Sequence, residues 1–150
     1  MLSHPASIDL RLAGTYSREV PVSLAAVWEN VFDWSHLPAL HAETFAACRL
    51  LEKTRTGWVI ESLNQGDPPE RSQRLRLTVQ RDRTRYKVVT EHGPGAGSEI
   101  RVQLTRLAAR RTGVFVRFLV PETIPARLEA IGRRYRNVYE KLWDEDEAMM

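Results

Sequence analysis

The sequence predicts an α+β domain in which a curved, seven-stranded antiparallel sheet wraps around a long C-terminal helix, with two short helices after the first strand. Two observations predict it. Short alternating segments separated by turn sequences fill the middle of the chain, and one long apolar stripe at helical spacing follows them. The first strand lies in "IDLRLAGTYSREV". The other six are "FAACRLLEK", "GWVIESLNQ", "SQRLRLTVQ", "TRYKVVTEH", "SEIRVQLTRL" and "GVFVRFLVP".

The segment between the first two strands has helical periodicity. In "PVSLAAVWENVFDW" the apolar positions that repeat at helical spacing are Leu24, Val27, Trp28 and Val31. Ser23 is placed to cap this short amphipathic helix. Pro38 cannot lie inside a regular helix without removing a hydrogen bond and clashing with the preceding turn. The sequence therefore predicts that the helix ends or breaks near Ser35.

A long helix is predicted for "TIPARLEAIGRRYRNVYEKLWDEDEAMM", about 25 residues. Its apolar stripe consists of Leu128, Ile131, Tyr135, Val138, Tyr139 and Leu142. At about 100° per residue, Asp146 falls about 40° from Leu142, on the face of the stripe. Asp144 and Glu147 fall about 200° and 140° from Leu142 and are predicted to be solvated. A carboxylate that faces the interior is costly unless a cation or hydrogen-bond donors meet it.

Length and composition exclude several classes of protein. A chain of 150 residues, 43% hydrophobic and 27% charged, is large enough for one core and too small for two, so residues 1–150 are predicted to form a single domain. No run of about 18 apolar residues exists to span a membrane, and the N-terminus lacks a signal-peptide pattern, so a cytoplasmic protein is expected. The single cysteine, Cys48, excludes an internal disulfide and an iron–sulfur cluster held by this chain alone.

Two histidines and one aspartate form a candidate metal-binding set. His36 and His41 stand five residues apart in "FDWSHLPALH". Two imidazoles and one carboxylate on one face of an octahedron are the ligands of mononuclear non-haem Fe(II) sites that activate oxygen, and Asp146 supplies the carboxylate. A spacing of five places side chains on a helix about 140° apart, but Pro38 breaks the helix where reorientation is needed.

The order of the elements and one motif resemble a known superfamily. Strand, short helices, antiparallel meander and long C-terminal helix resemble the helix-grip fold of the START/SRPBCC (Bet v 1-like) superfamily over nearly the whole chain. A sheet curled around one helix leaves a cavity, which is suited to a hydrophobic or aromatic small molecule. Within this superfamily, "ENVFDWSHLPALH" is similar to the Glu-Asn-x-x-Asp-x-x-His-x-x-x-x-His pattern of the catalytic domains of Rieske-type non-haem iron aromatic-ring-hydroxylating oxygenases. The matching positions are Glu29, Asn30, Asp33, His36 and His41.

The resemblance implies a role for each site residue. His36, His41 and Asp146 would bind Fe(II), since "LWDEDEAMM" offers an aromatic residue followed by the acidic pair that the family carries on its last helix. Asp33 would be the bridging carboxylate, which orients His36 and links the iron to the cluster histidine of a neighbouring subunit. The resemblance therefore also implies a homo-oligomer.

One departure from the family concerns the source of electrons. The family carries its Rieske cluster through a Cys-x-His and a Cys-x-x-His pair, and this sequence contains neither. Three explanations stay open. The chain is one domain of a longer protein, as its ending in mid-helix suits; the cluster sits on a Rieske or ferredoxin partner; or the oxygenase activity has been lost.

Two further functions fit the same fold. One is a metal-free START-like module that binds or transports a hydrophobic ligand, with both histidines at a helix end and Asp146 solvated in a terminal turn. The other is an enzyme of the polyketide cyclase or dehydratase kind, which would use Asp33, His36 or a pocket tyrosine as acid–base groups.

The remaining polar segments predict little chemistry. Arg74 and Arg76 share one face of their strand, and three more arginines follow by residue 85, which indicates a solvated outer face or a docking patch for an acidic electron-transfer partner. A net charge of +3 without interleaved aromatic residues does not favour nucleic acid. "GPGAG" is predicted to be a hairpin loop, His92 a strand-end residue, and His4 part of a disordered tail.

Overall fold

The fold was analysed on a computed structural model that describes residues 9–150, so the predicted tail position of His4 lies outside the described residues. The elements in chain order are β1 (Arg11–Val20), α1 (Leu24–Phe32), α2 (His36–Leu40), β2 (Phe45–Thr54), β3 (Gly57–Asn64), β4 (Gln73–Gln80), β5 (Arg85–His92), β6 (Glu99–Ala108), β7 (Arg111–Val120) and α3 (Pro125–Met149). One antiparallel sheet has the strand order β1-β7-β6-β5-β4-β3-β2. The predicted fold class, including both short helices, is confirmed.

The sheet buries one face, which packs against α3. Along β7 the side chains of Val114, Val116 and Phe118 are buried, while those of Phe115 and Arg117 between them are exposed. This period of two is the alternation expected of a strand with one solvated face. The core therefore lies on the concave side of the sheet, between the strands and the helices.

The curvature of the sheet has a local cause. Register shifts interrupt the pairing of β1 with β7, of β2 with β3 at two places, of β4 with β5, and of β6 with β7. An extra residue on one strand bends it and increases its twist. Repeated along the meander, these irregularities curl the sheet around the last helix.

The two short helices are separated near the predicted break. The side chain of Ser23 accepts a hydrogen bond of 3.1 Å from the backbone N–H of Ala26, as its predicted capping role requires. α1 ends at Phe32 and α2 begins at His36, so the helix breaks near Ser35, as predicted. Pro38 lies in the first turn of α2, where N–H groups have no intrahelical acceptor, so it does not interrupt that helix between His36 and His41.

Helix α3 lies very close to β1 near the start of the strand. A Cβ atom added at Gly132 would stand 2.0 Å from the carbonyl oxygen of Ala13, which is far inside van der Waals contact. Next to this contact, the ring of Tyr135 stacks on Phe118 of β7 with 4.8 Å between centroids. Glycine at position 132 therefore allows the helix backbone to approach the sheet directly.

The C-terminal end of α3 is attached to β1 by charge. Arg18 donates hydrogen bonds to Asp144, at 2.6 Å, and to Glu147. The prediction that both acids are solvated holds for Asp144, with 62% of its side chain exposed, but not for Glu147. Glu147 in particular is mostly covered, with 28% of its side chain exposed, because β1 runs beside this face of the helix and supplies a cation that the helical pattern alone does not reveal. Within residues 9–150, no helix has the length and apolar content needed to cross a bilayer.

The close contact at Gly132 gives a test of the fold. Alanine is favoured over glycine by about 1 kcal/mol inside a helix. We nevertheless expect Gly132→Ala to lower the free energy of unfolding by about 1–3 kcal/mol, because overpacking against a backbone carbonyl outweighs helix propensity. Urea denaturation measures the difference. Ala130→Gly, at an exposed position on the same helix, is the control and should cost about 1 kcal/mol from propensity alone. A Gly132→Ala protein more stable than the wild type would contradict the close contact between α3 and the carbonyl of Ala13.

Candidate metal centre at one end of an internal cavity

A cavity of about 720 Å³ lies between the concave face of the sheet and α3. This volume is in the range of pockets that take drug-sized ligands. Its middle is lined by apolar side chains, among them Leu75, Leu77, Val88, Ile100, Val138 and Leu142. The polar side chains that line it fall into two groups, one around Asp146 and one around Tyr135.

Three metal-ligating side chains converge at the first end. The Nε2 atom of His41 lies 2.8 Å from Oδ1 of Asp146, and the Nε2 atom of His36 lies 3.3 Å from the same oxygen. The three potential ligand atoms all lie within 4.8 Å of one another. His41 and Asp146 are only 1% and 7% exposed, so the cluster is withdrawn from solvent. Asp146 thus faces inward, as the helical periodicity predicts.

The short helix α2 sets the directions of the two imidazoles. His36 is its first residue, and His41 follows its last residue with a non-helical backbone (φ −106°, ψ 43°). The rings lie 5.2 Å apart between centroids and are inclined by 71°. The reorientation expected at Pro38 instead occurs at His41, because the helix stops at Leu40 and releases the next residue from the 100° rotation.

Each imidazole is held through its Nδ1 atom. Nδ1 of His36 contacts the backbone carbonyl of Asp33, and Nδ1 of His41 lies 3.3 Å from Oε1 of Glu145. An acceptor at Nδ1 holds the proton there, so that Nε2 presents its lone pair on the side of Asp146. Both rings are therefore oriented as metal ligands are, each with its outer nitrogen bound to an oxygen.

The orienting contact of Asp33 comes from its backbone. The exposed carboxylate of Asp33 accepts hydrogen bonds from the backbone N–H of Ser35, at 3.1 Å, and from the Ser35 hydroxyl, at 2.6 Å. It therefore holds the turn between α1 and α2, while its carbonyl oxygen orients His36. The role of Asp33 as an electron bridge to a second subunit stays a prediction.

The electrostatics of the cluster favour a positive charge. Burial opposes charging of His36, but the close contact and negative charge of Asp146, helped by the carbonyl of Asp33, raise the net pKa of His36 above its ordinary value. Oδ1 of Asp146 is buried and receives no well-aligned hydrogen bond, although Nε2 of His41 lies near it. Because Nε2 of His41 is close to this oxygen but is not aligned to donate to it, the buried negative charge of Asp146 is not fully compensated and favours binding of a cation.

Three other polar groups of the cavity wall were not identified from the sequence. Burial raises the pKa of Tyr86 and of Tyr139, and the nearby Asp146 raises both further, so both phenols stay protonated donors at ordinary pH. The Nε1 atom of Trp58 is buried and has no acceptor among residues 9–150. Tyr139 belongs to the apolar stripe of α3, so the helical spacing indicates that its side chain faces inward. No local sequence pattern distinguishes Tyr86 or Trp58 from an ordinary core residue.

The second end of the cavity is built by the predicted hairpin loop. The segment 93–98 connects the antiparallel strands β5 and β6, and three of its glycines have positive φ. Gln73 donates to the carbonyl of Pro94 at 2.6 Å, which ties the loop to β4. Ser98 follows and lies beside the hydroxyl of Tyr135 on α3. The exposed His92 ends β5, as expected, and lies outside the cavity lining.

The arginines of the outer sheet face are paired with acids of the same face. Arg74 and Arg76 both contact Glu91, at 3.3 Å and 2.9 Å, and Arg101 contacts Glu99 at 2.8 Å. Arg74 and Arg76 therefore lie on a solvated outer face of the sheet, as predicted. Docking of an acidic electron-transfer partner there stays a prediction.

Comparisons with known proteins give the fold at low sequence identity. No family model and no curated protein matches the chain. Among solved structures, norcoclaurine synthase from Thalictrum flavum in complex with dopamine and hydroxybenzaldehyde matches with a TM-score of 0.67 at 13% identity, covering 99% of this chain and 94% of that one. A START superfamily protein from Mycobacterium smegmatis matches with a TM-score of 0.61 at 13% identity, covering 87% and 88%.

A third neighbour is the Zhui aromatase/cyclase from a Streptomyces species, with a TM-score of 0.61 at 14% identity over 93% of this chain and 88% of that one. None of these three neighbours is named as an oxygenase, so the resemblance to Rieske oxygenases rests on the sequence motif. At these identities the likeness concerns the fold. The chain has the helix-grip fold shared by START and Bet v 1-like proteins.

Proposed function

We propose that this chain is a metal-dependent enzyme that binds one Fe(II) ion through His36, His41 and Asp146 and oxidises an apolar or aromatic molecule held in the cavity. The observation that carries the proposal is the convergence of three ligand atoms within 4.8 Å at a buried cavity end. Asp146 stands more than 100 residues after both histidines in sequence. The neighbours named as a synthase and as an aromatase/cyclase support enzyme activity on small molecules in this fold but do not point to oxidation.

The donor set fits the proposed ion. Two imidazoles and one carboxylate that leave coordination positions open suit non-haem Fe(II). The misaligned Oδ1 of Asp146 is an acceptor without a satisfactory donor, as expected of a ligand atom that shares a cation with its neighbours. The contacts at Nδ1 of both histidines supply the outer hydrogen bonds that metal-bound imidazoles usually make.

The residues around the proposed ion have separate roles in positioning the ligands and the substrate. The bound ion would supply the chemistry of oxygen activation. Glu145 and the carbonyl of Asp33 hold the two rings in place, and the phenols of Tyr86 and Tyr139 present protons toward the cavity. The apolar middle excludes water from the substrate. The cavity would thus bind and orient a substrate. Because its interior has a lower effective dielectric constant than water, polar contacts between the cavity wall and the substrate would be stronger there.

Electrons must come from outside the described chain. Burial raises the pKa of the half-buried Cys48, which suits a structural thiol, and residues 9–150 hold no set of cysteines that could carry a cluster. We propose an external iron–sulfur protein as the donor.

A metal-free activity is the second candidate, and the structural neighbours favour it. Norcoclaurine synthase and the aromatase/cyclase share the fold. In such an enzyme His36, with its raised pKa, and the buried phenols would act as acid–base groups on a bound small molecule. The two candidates differ in one measurable property, the requirement for a metal.

Metal binding is the first test. Protein loaded with Fe(II) without oxygen and then desalted should retain one iron per chain. His36→Ala, His41→Ala and Asp146→Asn should each lose it, because two remaining ligands hold Fe(II) weakly. His92→Ala, outside the cavity, is the control and should retain iron. Elemental analysis measures the content. A wild-type protein that retains no iron, or a His41→Ala variant that retains all of it, would favour the metal-free candidate.

The role of Glu145 is a separate test. Loss of an outer hydrogen bond to a ligating histidine typically weakens metal affinity by about 10–100-fold. We expect Glu145→Gln to weaken Fe(II) binding by this factor, measured by competition with a chelator. Glu140→Gln removes an acid from an exposed position of the same helix, which makes no ion pair within residues 9–150, and should leave the affinity unchanged. Equal affinities of Glu145→Gln and wild type would remove Glu145 from the site.

A further inference from the structure

We propose that the natural ligand of the cavity is an elongated apolar molecule with an anionic group, such as a carboxylate, which Arg134 binds at the end opposite the His36–His41–Asp146 cluster. The inference deepens the proposed function by naming the class of substrate. The inference rests on the proposed function in one respect: the end of the ligand that reacts is the end at His36, His41 and Asp146.

The two ends of the cavity are far apart along α3. Arg134 and Asp146 both line the cavity and stand twelve residues apart on one helix. At 1.5 Å per residue this is about 18 Å along the helix axis. A ligand that reaches both ends is therefore elongated, and its middle lies among the apolar side chains of the sheet.

The end at Arg134 has an excess of positive charge. Two arginines line the cavity, and Arg71 is paired with Asp67, which lines it too, at 3.7 Å. Arg134 forms no ion pair with any of residues 9–150. Arg134 precedes Tyr135 on α3, and both residues line the cavity together with Ser98. One cationic group at this end thus has no anionic partner in the described chain.

The neighbours of Arg134 at this end are neutral hydrogen-bonding groups. Ser98 and Thr90 are buried polar residues, and both line the cavity with Gln73. Arginine has five N–H donors and no acceptor, and its planar fork matches a carboxylate. Arg134 is exposed at the cavity wall, so a neutral ligand leaves its guanidinium in contact with water, whereas an anionic group adds a charge-assisted hydrogen bond to it.

Two dyes with the same aromatic body test the charge preference. Anilinonaphthalene sulfonate is anionic, and phenylnaphthylamine lacks the sulfonate and is neutral. We expect Arg134→Gln to weaken binding of the anionic dye by roughly tenfold, the loss expected for a charge-assisted hydrogen bond, and to leave the neutral dye within about twofold. Arg133→Gln is the matched control, because Arg133 is exposed and pairs with Glu129 at 3.3 Å. It should change neither affinity.

The titrations use metal-free protein and follow dye fluorescence, so they do not depend on the iron site. A selective loss of the anionic dye in Arg134→Gln supports the proposal even where no iron is retained. The proposal would be overturned if Arg134→Gln weakened binding of both dyes equally or of neither dye. It would also be overturned if Arg133→Gln weakened binding of the anionic dye as much as Arg134→Gln does. Repetition in His36→Ala should give the same tenfold effect of Arg134→Gln, since the two ends are independent.

Discussion

The direct contact of α3 with β1 determines the position of everything in the cavity. Gly132 lets the helix backbone approach Ala13, and Arg18 holds the last turns through Asp144 and Glu147. Two attachments more than two turns apart leave the helix little freedom to rotate or slide along the sheet. The direction of Asp146, which lies between the two acids bound by Arg18, is therefore fixed by an ion pair on the outside of the helix.

A buried carboxylate beside two imidazoles needs a cation, and the competing cations are a proton and a metal ion. In the metal-free state the raised pKa of His36 means that a proton is retained near Asp146 at a higher pH than usual. A metal ion must displace that proton, so metal binding and protonation compete for one site. The contacts of Asp33 and Glu145 at the Nδ1 atoms favour the metal, because they hold a proton on the outer nitrogen and leave Nε2 available. This arrangement explains why the same residues suit both an iron enzyme and an acid–base enzyme.

How much of this could be predicted from the sequence depends on whether the relevant contact is local. Strand alternation, the cap at Ser23 and the inward face of Asp146 follow from short-range periodicity, and all appear in the structure. The Arg18 ion pairs, the approach of Gly132 to Ala13 and the Glu145 contact join elements separated by more than 100 residues, so no local pattern contains them. The break near Ser35 also follows from a local rule, the restriction that Pro38 places on the preceding turn. That rule does not show that Pro38 lies in a second short helix, which ends at Leu40 and turns His41 toward Asp146.

The fold alone does not determine the chemistry of the cavity. Neighbours with 13–14% identity share the fold, and one fold hosts different functions through a small number of side chains. On α3, Arg133 and Arg134 are adjacent in sequence, yet at about 100° per residue Arg134 lies about 80° from the Leu142 direction and Arg133 lies opposite to it. Arg134 consequently borders the cavity, whereas Arg133 lies away from it and pairs with Glu129. A rotation of one residue thus separates these two charges, and a rotation of two residues, about three turns later, brings Asp146, and not Asp144, to the histidines.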